Sequence, residues 1–346
     1  MRLLRVAAVT ACTCALGGCY VLQAASGQAE VMRKSEPIPQ VMADPVTPPR
    51  TRERLQLVQE AREFAIDELA LPDGKSYQRY ADLGRPYVVH NVVAAPEFSV
   101  DPRRWCFPVA GCIAYRGYFD QSRAEDFARR RSVRGDDVNV GGVPTYSTLG
   151  HLPDPVFQPM LEWRDTRLVG TVFHELAHER LYLPGDSELN EAFASVVEAE
   201  GVRRWLAANG RSADIAAYDD SLRRQREFAA LLHETRERLR RLYASSLPPT
   251  EMRIEKQREF GQLKFRFEQL RRGHWDGYSG YDGWFARALN NARLVAVATY
   301  EDCVPGLRRL LEEAGSLPAF YDRVAATSSL TAKERHALLC AVTGGD

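Results

Sequence analysis

One short run constrains this chain more than any other: His174-Glu175-Leu176-Ala177-His178, closing the apolar stretch Leu168-Val169-Gly170-Thr171-Val172-Phe173. Apolar residues at helical spacing, without Pro, predict a helix over 165–182. On a helix, residues four apart stand one turn apart on one face, so both imidazoles can reach a single ion. Neutral imidazole nitrogen suits zinc. Glu175 lies beside the first histidine, placed to take a proton from an attacking water and deliver it to a leaving amine. The run arises by chance in such a chain on the order of one time in a hundred, so its surroundings matter. An apolar helix, rather than a charged loop, favours a metal centre over two incidental surface histidines.

A catalytic zinc site takes a third protein ligand and keeps a fourth position open. Glu191, at the start of a second predicted helix over 187–209, is the candidate. Pro184-Gly185-Asp186 lets the chain reverse between the two helices and lay one beside the other. Glu198, about two turns further along the same face, is the alternative ligand. Asp186 and Glu188 are candidates for orienting the histidines.

The N-terminus starts with the short basic Met1-Arg2-Leu3-Leu4-Arg5, continues small and mostly apolar, and reaches Leu16-Gly17-Gly18-Cys19. The apolar part is too short to span a bilayer, so residues 1–18 read as a cleaved lipoprotein signal peptide with Cys19 as the lipidated residue. An ordinary secretory signal is the alternative. Tyr20, where Asp would favour inner-membrane retention, suits an outer-membrane anchor facing the periplasm. Past Cys12, Cys14 and Cys19, four cysteines remain: Cys106, Cys112, Cys303 and Cys340. An even set in an exported chain suggests disulfides, and pairing Cys106 with Cys112 and Cys303 with Cys340 closes two local loops.

Lys+Arg and Asp+Glu both number 46, so the formal net charge is zero, which excludes the basic footprint of a nucleic-acid binder. Residues 19–50 become Pro-rich and read as a lipidated tether, and 51–346 as the folded domain. A helix is predicted over 51–69, strands over 87–95, 112–119 and 137–143, and a short helix over 122–131. Two charged segments with apolar stripes, broken at Pro248-Pro249, predict a helical hairpin over 215–272 that serves packing. Helix is expected again over 284–300 and onward to the C-terminus.

With its surroundings, the motif resembles the bacterial "predicted aminopeptidase" lipoprotein family, HExxH zinc metallopeptidases of Glu-zincin type. The resemblance runs over nearly all the chain after the signal. It is carried by Gln23-Ala24-Ala25-Ser26-Gly27-Gln28, Cys106-Phe107-Pro108-Val109-Ala110-Gly111-Cys112, Tyr115-Arg116-Gly117-Tyr118-Phe119, Tyr146-Ser147-Thr148-Leu149-Gly150, Asn190-Glu191-Ala192-Phe193-Ala194 and Asn290-Asn291-Ala292-Arg293-Leu294. Glu179 departs from the pattern, where a neutral Gln is expected. The resemblance implies Zn2+ as cofactor and a peptide as substrate. In zincins an edge strand before the metal helix pairs with extended substrate, which makes Gly141 and Gly142 candidates. Tyr146, Tyr278, Tyr281, Tyr300 and Arg293 are candidates for stabilising an oxyanion. The expected fold is α+β, predominantly helical and zincin-like, with a helical-hairpin insertion. The expected activity is zinc-dependent peptide hydrolysis, probed first as an aminopeptidase. Its rivals are an endopeptidase and a non-catalytic envelope lipoprotein that binds a partner.

Overall fold

Leu168, Val169, Val172, Phe173, Leu176 and Ala177 are all fully excluded from solvent. A helix apolar on so many sides can only sit inside, and this one forms the centre of the molecule. The computed structural model describes residues 20–107, 111–146, 152–297 and 303–340. The signal segment 1–18, Cys19 and Tyr300 lie outside the described residues.

The elements run helix α1 (20–34), strand β1 (Ser35–Pro37), helices α2 (Ile38–Ala43) and α3 (Pro49–Leu69), and strands β2 (Arg79–Ala81), β3 (Val89–Pro96), β4 (Trp105–Phe107), β5 (Gly111–Ile113) and β6 (Arg116–Tyr118). Helix α4 (Gln121–Ser132) and strands β7 (Asp136–Val143) and β8 (Val156–Phe157) follow. The chain then turns helical: α5 (Asp165–Arg180), α6 (Ser187–Ala208), α7 (Ile215–Tyr243), α8 (Pro249–His274), α9 (Asp282–Phe285), α10 (Asn291–Val295), α11 (Val304–Ala314), α12 (Leu317–Ala325) and α13 (Ala332–Leu339). The protein is α+β and mostly helical, and the described residues form three small sheets ordered β1-β2-β8, β6-β3-β7 and β4-β5. Among the described residues no helix is long and apolar enough to cross a membrane.

The main core gathers around α5, which packs on α3 and most closely on α6. Glycine permits that approach. A Cβ at Gly201 would lie 2.7 Å from Leu69 and 2.8 Å from Phe173, and one at Gly170 would lie 2.8 Å from a Glu198 carboxylate oxygen. Cβ atoms essentially never come that close: a larger residue at Gly201 would strain the packing of α6 on α3 and α5, and one at Gly170 would displace the Glu198 carboxylate. The hairpin of α7 and α8 has its own core of Phe228, Leu232, Leu239, Phe260, Leu263 and Phe267.

Three expectations are corrected. Residues 20–50 do not run as a tether: Val31 and Ile38 are buried in the main core, and β1 pairs antiparallel with β2. The Pro-rich composition fits this because Pro37 and Pro48 precede helices and Pro49 opens one, where a missing N–H costs nothing. The strand expected over 112–119 is two strands. Cys112 pairs directly across from Cys106 in the β4–β5 hairpin, whereas β6 joins β3, so the chain bends at Ala114 and Tyr115. The helix expected over 284–300 is interrupted. Extended Asn290 accepts a hydrogen bond from the Arg293 amide and starts α10 afresh. Both disulfides, Cys106–Cys112 and Cys303–Cys340, are formed.

Candidate metal centre

The turn between α5 and α6 sets the register of the centre. Gly185, at φ 79°, reverses the chain, and Asp186 caps α6 by accepting from the Leu189 amide at 3.3 Å. The Asn190 side chain accepts from the Leu183 amide at 2.8 Å and donates to its carbonyl at 2.9 Å. These bonds pin the first turn of α6 and aim the next residue, Glu191, at α5. Asp186 does not orient the histidines. It is buried against Arg335 at 2.8 Å and His336 at 2.7 Å, tying the turn to α13. Glu188 is half-buried in the same first turn.

His174, His178 and Glu191 meet with their ligand atoms all within 4.8 Å of one another. The Nε2 atoms of His174 and His178 lie 3.3 and 3.6 Å from the two carboxylate oxygens of Glu191. Donors about 2.1 Å from a tetrahedral ion stand about 3.4 Å apart, so the spacing fits a metal of that size and the two-nitrogen, one-oxygen donor set leaves a fourth position. A second group, Cys303, His336 and Cys340, has comparable spacing, but its cysteines are joined to each other.

Electrostatics agree with the geometry. Burial opposes a charged His174, yet hydrogen bonds to Glu191 and Glu198, reinforced by the Glu198 and Glu175 charges, push its pKa up to about 10. Burial likewise opposes an ionised Glu191, but the two imidazoles pull it down to about 2. Such a pocket stabilises positive charge between its donors, and a divalent cation can take the place of the proton.

Glu198 takes a role that helical periodicity alone does not assign. It approaches the far nitrogen of His174, Nδ1, at 3.0 Å, so it orients the imidazole instead of competing for the ion. Replacing Glu198 with Gln is expected to lower metal affinity about ten- to a hundredfold, measured by competition with a chromogenic chelator. An unchanged affinity would remove Glu198 from the centre.

Two tyrosines border the site. Tyr77 is fully buried with left-handed backbone (φ 60°); burial first, then the charges of Glu175, Asp154 and Glu179, raise its pKa well above the usual phenol value. Arg62 of α3 holds this loop through the Ser76 carbonyl and Asp73. Tyr115, at the bend before β6, is close enough to Glu191 that, after desolvation and Tyr20, the carboxylate raises its pKa. Its influence from Glu191 joins positions 76 residues apart in number, which no local pattern reveals.

The other residues proposed for substrate binding are engaged elsewhere. The Tyr146 hydroxyl donates to Gln28, and its ring packs on Phe119 and Phe157. Tyr278 stacks edge-on with Trp275 and Tyr281 beside the hairpin, under the Arg224 guanidinium. Tyr281 stacks on Phe228 in the same cluster. Arg293 is buried and donates to the Trp284 carbonyl at 3.0 and 2.6 Å and to Asn139 at 3.3 Å, joining α10 to β7. Gly141 and Gly142 lie on β7, an edge strand opposite Asn91 and His90. Part of its outer edge is already bonded: Asn290 donates to the Val138 carbonyl and Arg287 to that of Val140. Glu179, the departure from the family pattern, lies against the backbone at Gly74.

No curated protein and no solved structure matches this chain. A family does: the match covers residues 19–339, taking in both helices of the centre and the Cys106–Cys112 disulfide, and the chain belongs to the family described as "Putative aminopeptidase".

Proposed function

We propose that this protein is a zinc-dependent aminopeptidase with a zincin-like centre. The observation that carries the reading is the meeting of His174, His178 and Glu191, whose ligand atoms all lie within 4.8 Å of one another. Family membership supports a peptide as substrate. His174, His178 and Glu191 would hold the zinc. When bound, zinc would polarise the scissile carbonyl and acidify a water. Glu175, next to His174 on α5, takes the proton from the attacking water and passes it to the leaving amine. Glu198 keeps the His174 ring in the tautomer whose Nε2 lone pair faces the site. Two disulfides suit an oxidising compartment, and the lipobox ending at Cys19 suits a lipid-anchored protein of the cell envelope.

Metal removal tests this directly. Dialysis against a chelator should abolish hydrolysis of aminoacyl chromogenic amides, and stoichiometric zinc should restore it, with metal content followed by atomic emission. Failure to bind zinc, or zinc-loaded protein that cleaves no aminoacyl substrate, would overturn the reading. Cleavage confined to internally quenched peptides with blocked N-termini would make the enzyme an endopeptidase.

A further inference from the structure

A cavity of about 290 Å³ opens beside the metal centre, and His174, Glu191 and Glu198 form one of its walls. The same cavity is lined by Arg226 of α7 and Arg308 of α11, with Val196, Leu222 and Val304 supplying apolar surface. The helical hairpin, predicted as a packing element, therefore reaches the site through α7.

The two arginines differ from their neighbours in charge pairing. On α7, Arg223, Arg224, Arg236, Arg238 and Arg240 each have a carboxylate partner. Among the described residues neither Arg226 nor Arg308 forms an ion pair, although both are half-buried. The carboxylates that line the cavity are already engaged: Glu191 with two imidazoles and Glu198 with the far side of one. Half-buried guanidinium groups without a counter-charge are unfavourable unless something that enters the cavity supplies one. The planar guanidinium fork matches a carboxylate. Two cations repel an ammonium group, so the amine end of a peptide lies elsewhere and this cavity takes the leaving-group side. Its volume is at the small end for ligand pockets and suits a residue or two, not a long chain.

We propose that Arg226 and Arg308 bind a carboxylate on the leaving-group side of the scissile bond, selecting short peptides with a free C-terminus or an acidic residue there. This rests on the peptidase reading above. The test uses zinc-loaded wild type and the Arg226→Gln, Arg308→Gln and double variants, each first checked for native thermal unfolding. Alanyl-phenylalanine is compared with its C-terminal amide, and alanyl-glutamate amide with alanyl-glutamine amide. The first pair reports on the terminal carboxylate and the second on an acidic side chain. In the wild type, kcat/KM should favour the charged member of at least one pair by about tenfold or more, chiefly through KM. The double variant should collapse that ratio towards one, and Arg308→Lys should restore part of it. Equal cleavage of charged and neutral members by wild type, or an unchanged ratio in the double variant, would overturn the proposal. If no peptide is cleaved, the peptidase reading fails separately. The arginines are then judged by calorimetric binding of alanyl-phenylalanine and its amide to the zinc-loaded Glu175→Gln protein, where equal or absent binding overturns the proposal.

Discussion

Replacing Glu175 with Gln is expected to lower kcat by about 10²–10⁴-fold while leaving zinc content unchanged. The substitution keeps the size and polarity of a half-buried side chain on α5 but removes its ability to accept a proton. His174, His178 and Glu191 keep their positions, so metal binding should survive. The split between lost turnover and retained metal separates a proton-transfer role from a ligand role. Atomic emission and steady-state kinetics on the same preparation measure both. Activity within a few-fold of wild type would eliminate Glu175 as the base and require another group. Loss of metal together with activity would mean that Glu175 shapes the site instead of serving the reaction.

The second large effect concerns stability. Asp186→Ala should destabilise the fold by about 3–5 kcal/mol, because it leaves the buried Arg335 without its counter-charge. It also removes the cap of α6. Asp186→Asn should recover part of the loss, since an amide can still cap. Urea unfolding with disulfides intact measures both, and a loss below about 1 kcal/mol for Asp186→Ala would refute the account. The same carboxylate sets an acid limit. Burial resists its ionisation, but hydrogen bonds from His336, Arg335 and the Leu189 amide hold its pKa below the ordinary Asp value. A lowered folded-state pKa contributes stability that is present above the unfolded pKa, about 3.9, and is lost as pH falls through the folded one. Wild type should therefore lose stability steeply below about pH 4, and Asp186→Ala less so over that window. Because Glu191 follows one turn later on α6, the variant should also bind zinc more weakly.

The pattern of residues along the chain already contains much of this protein. Helical spacing over 165–182 and 187–209 matches α5 and α6 to within two residues. The His174, His178 and Glu191 set was legible because its members sit on two helices joined by a short turn, and local periodicity determines which side chains share a face. The disulfide pairing was legible because each pair closes a local stretch of chain, six residues for Cys106–Cys112 and 37 for Cys303–Cys340, the latter enclosing α11 to α13.

Tertiary packing decided the rest. Two glycines, Gly170 and Gly201, let α6 approach α5 closely enough for Glu198 to reach the far nitrogen of His174, a contact that periodicity reads only as a spare ligand. The segment 20–50 looks like a tether by composition, yet it packs because α3 and β2 offer apolar surface and a free strand edge where it lands. Tyr146 and Arg293 look available in sequence, but Gln28 takes the tyrosine hydroxyl, and Trp284 and the distant Asn139 take the guanidinium. Arg226 looks like one more charge on a solvated hairpin until α7 brings it into the cavity lined by His174, Glu191 and Glu198, with Arg308 arriving from α11. Local sequence dictates which atoms a helix presents. What those atoms meet depends on long-range contacts whose energies are summed over the whole fold, and the cavity beside His174 exists only at that level.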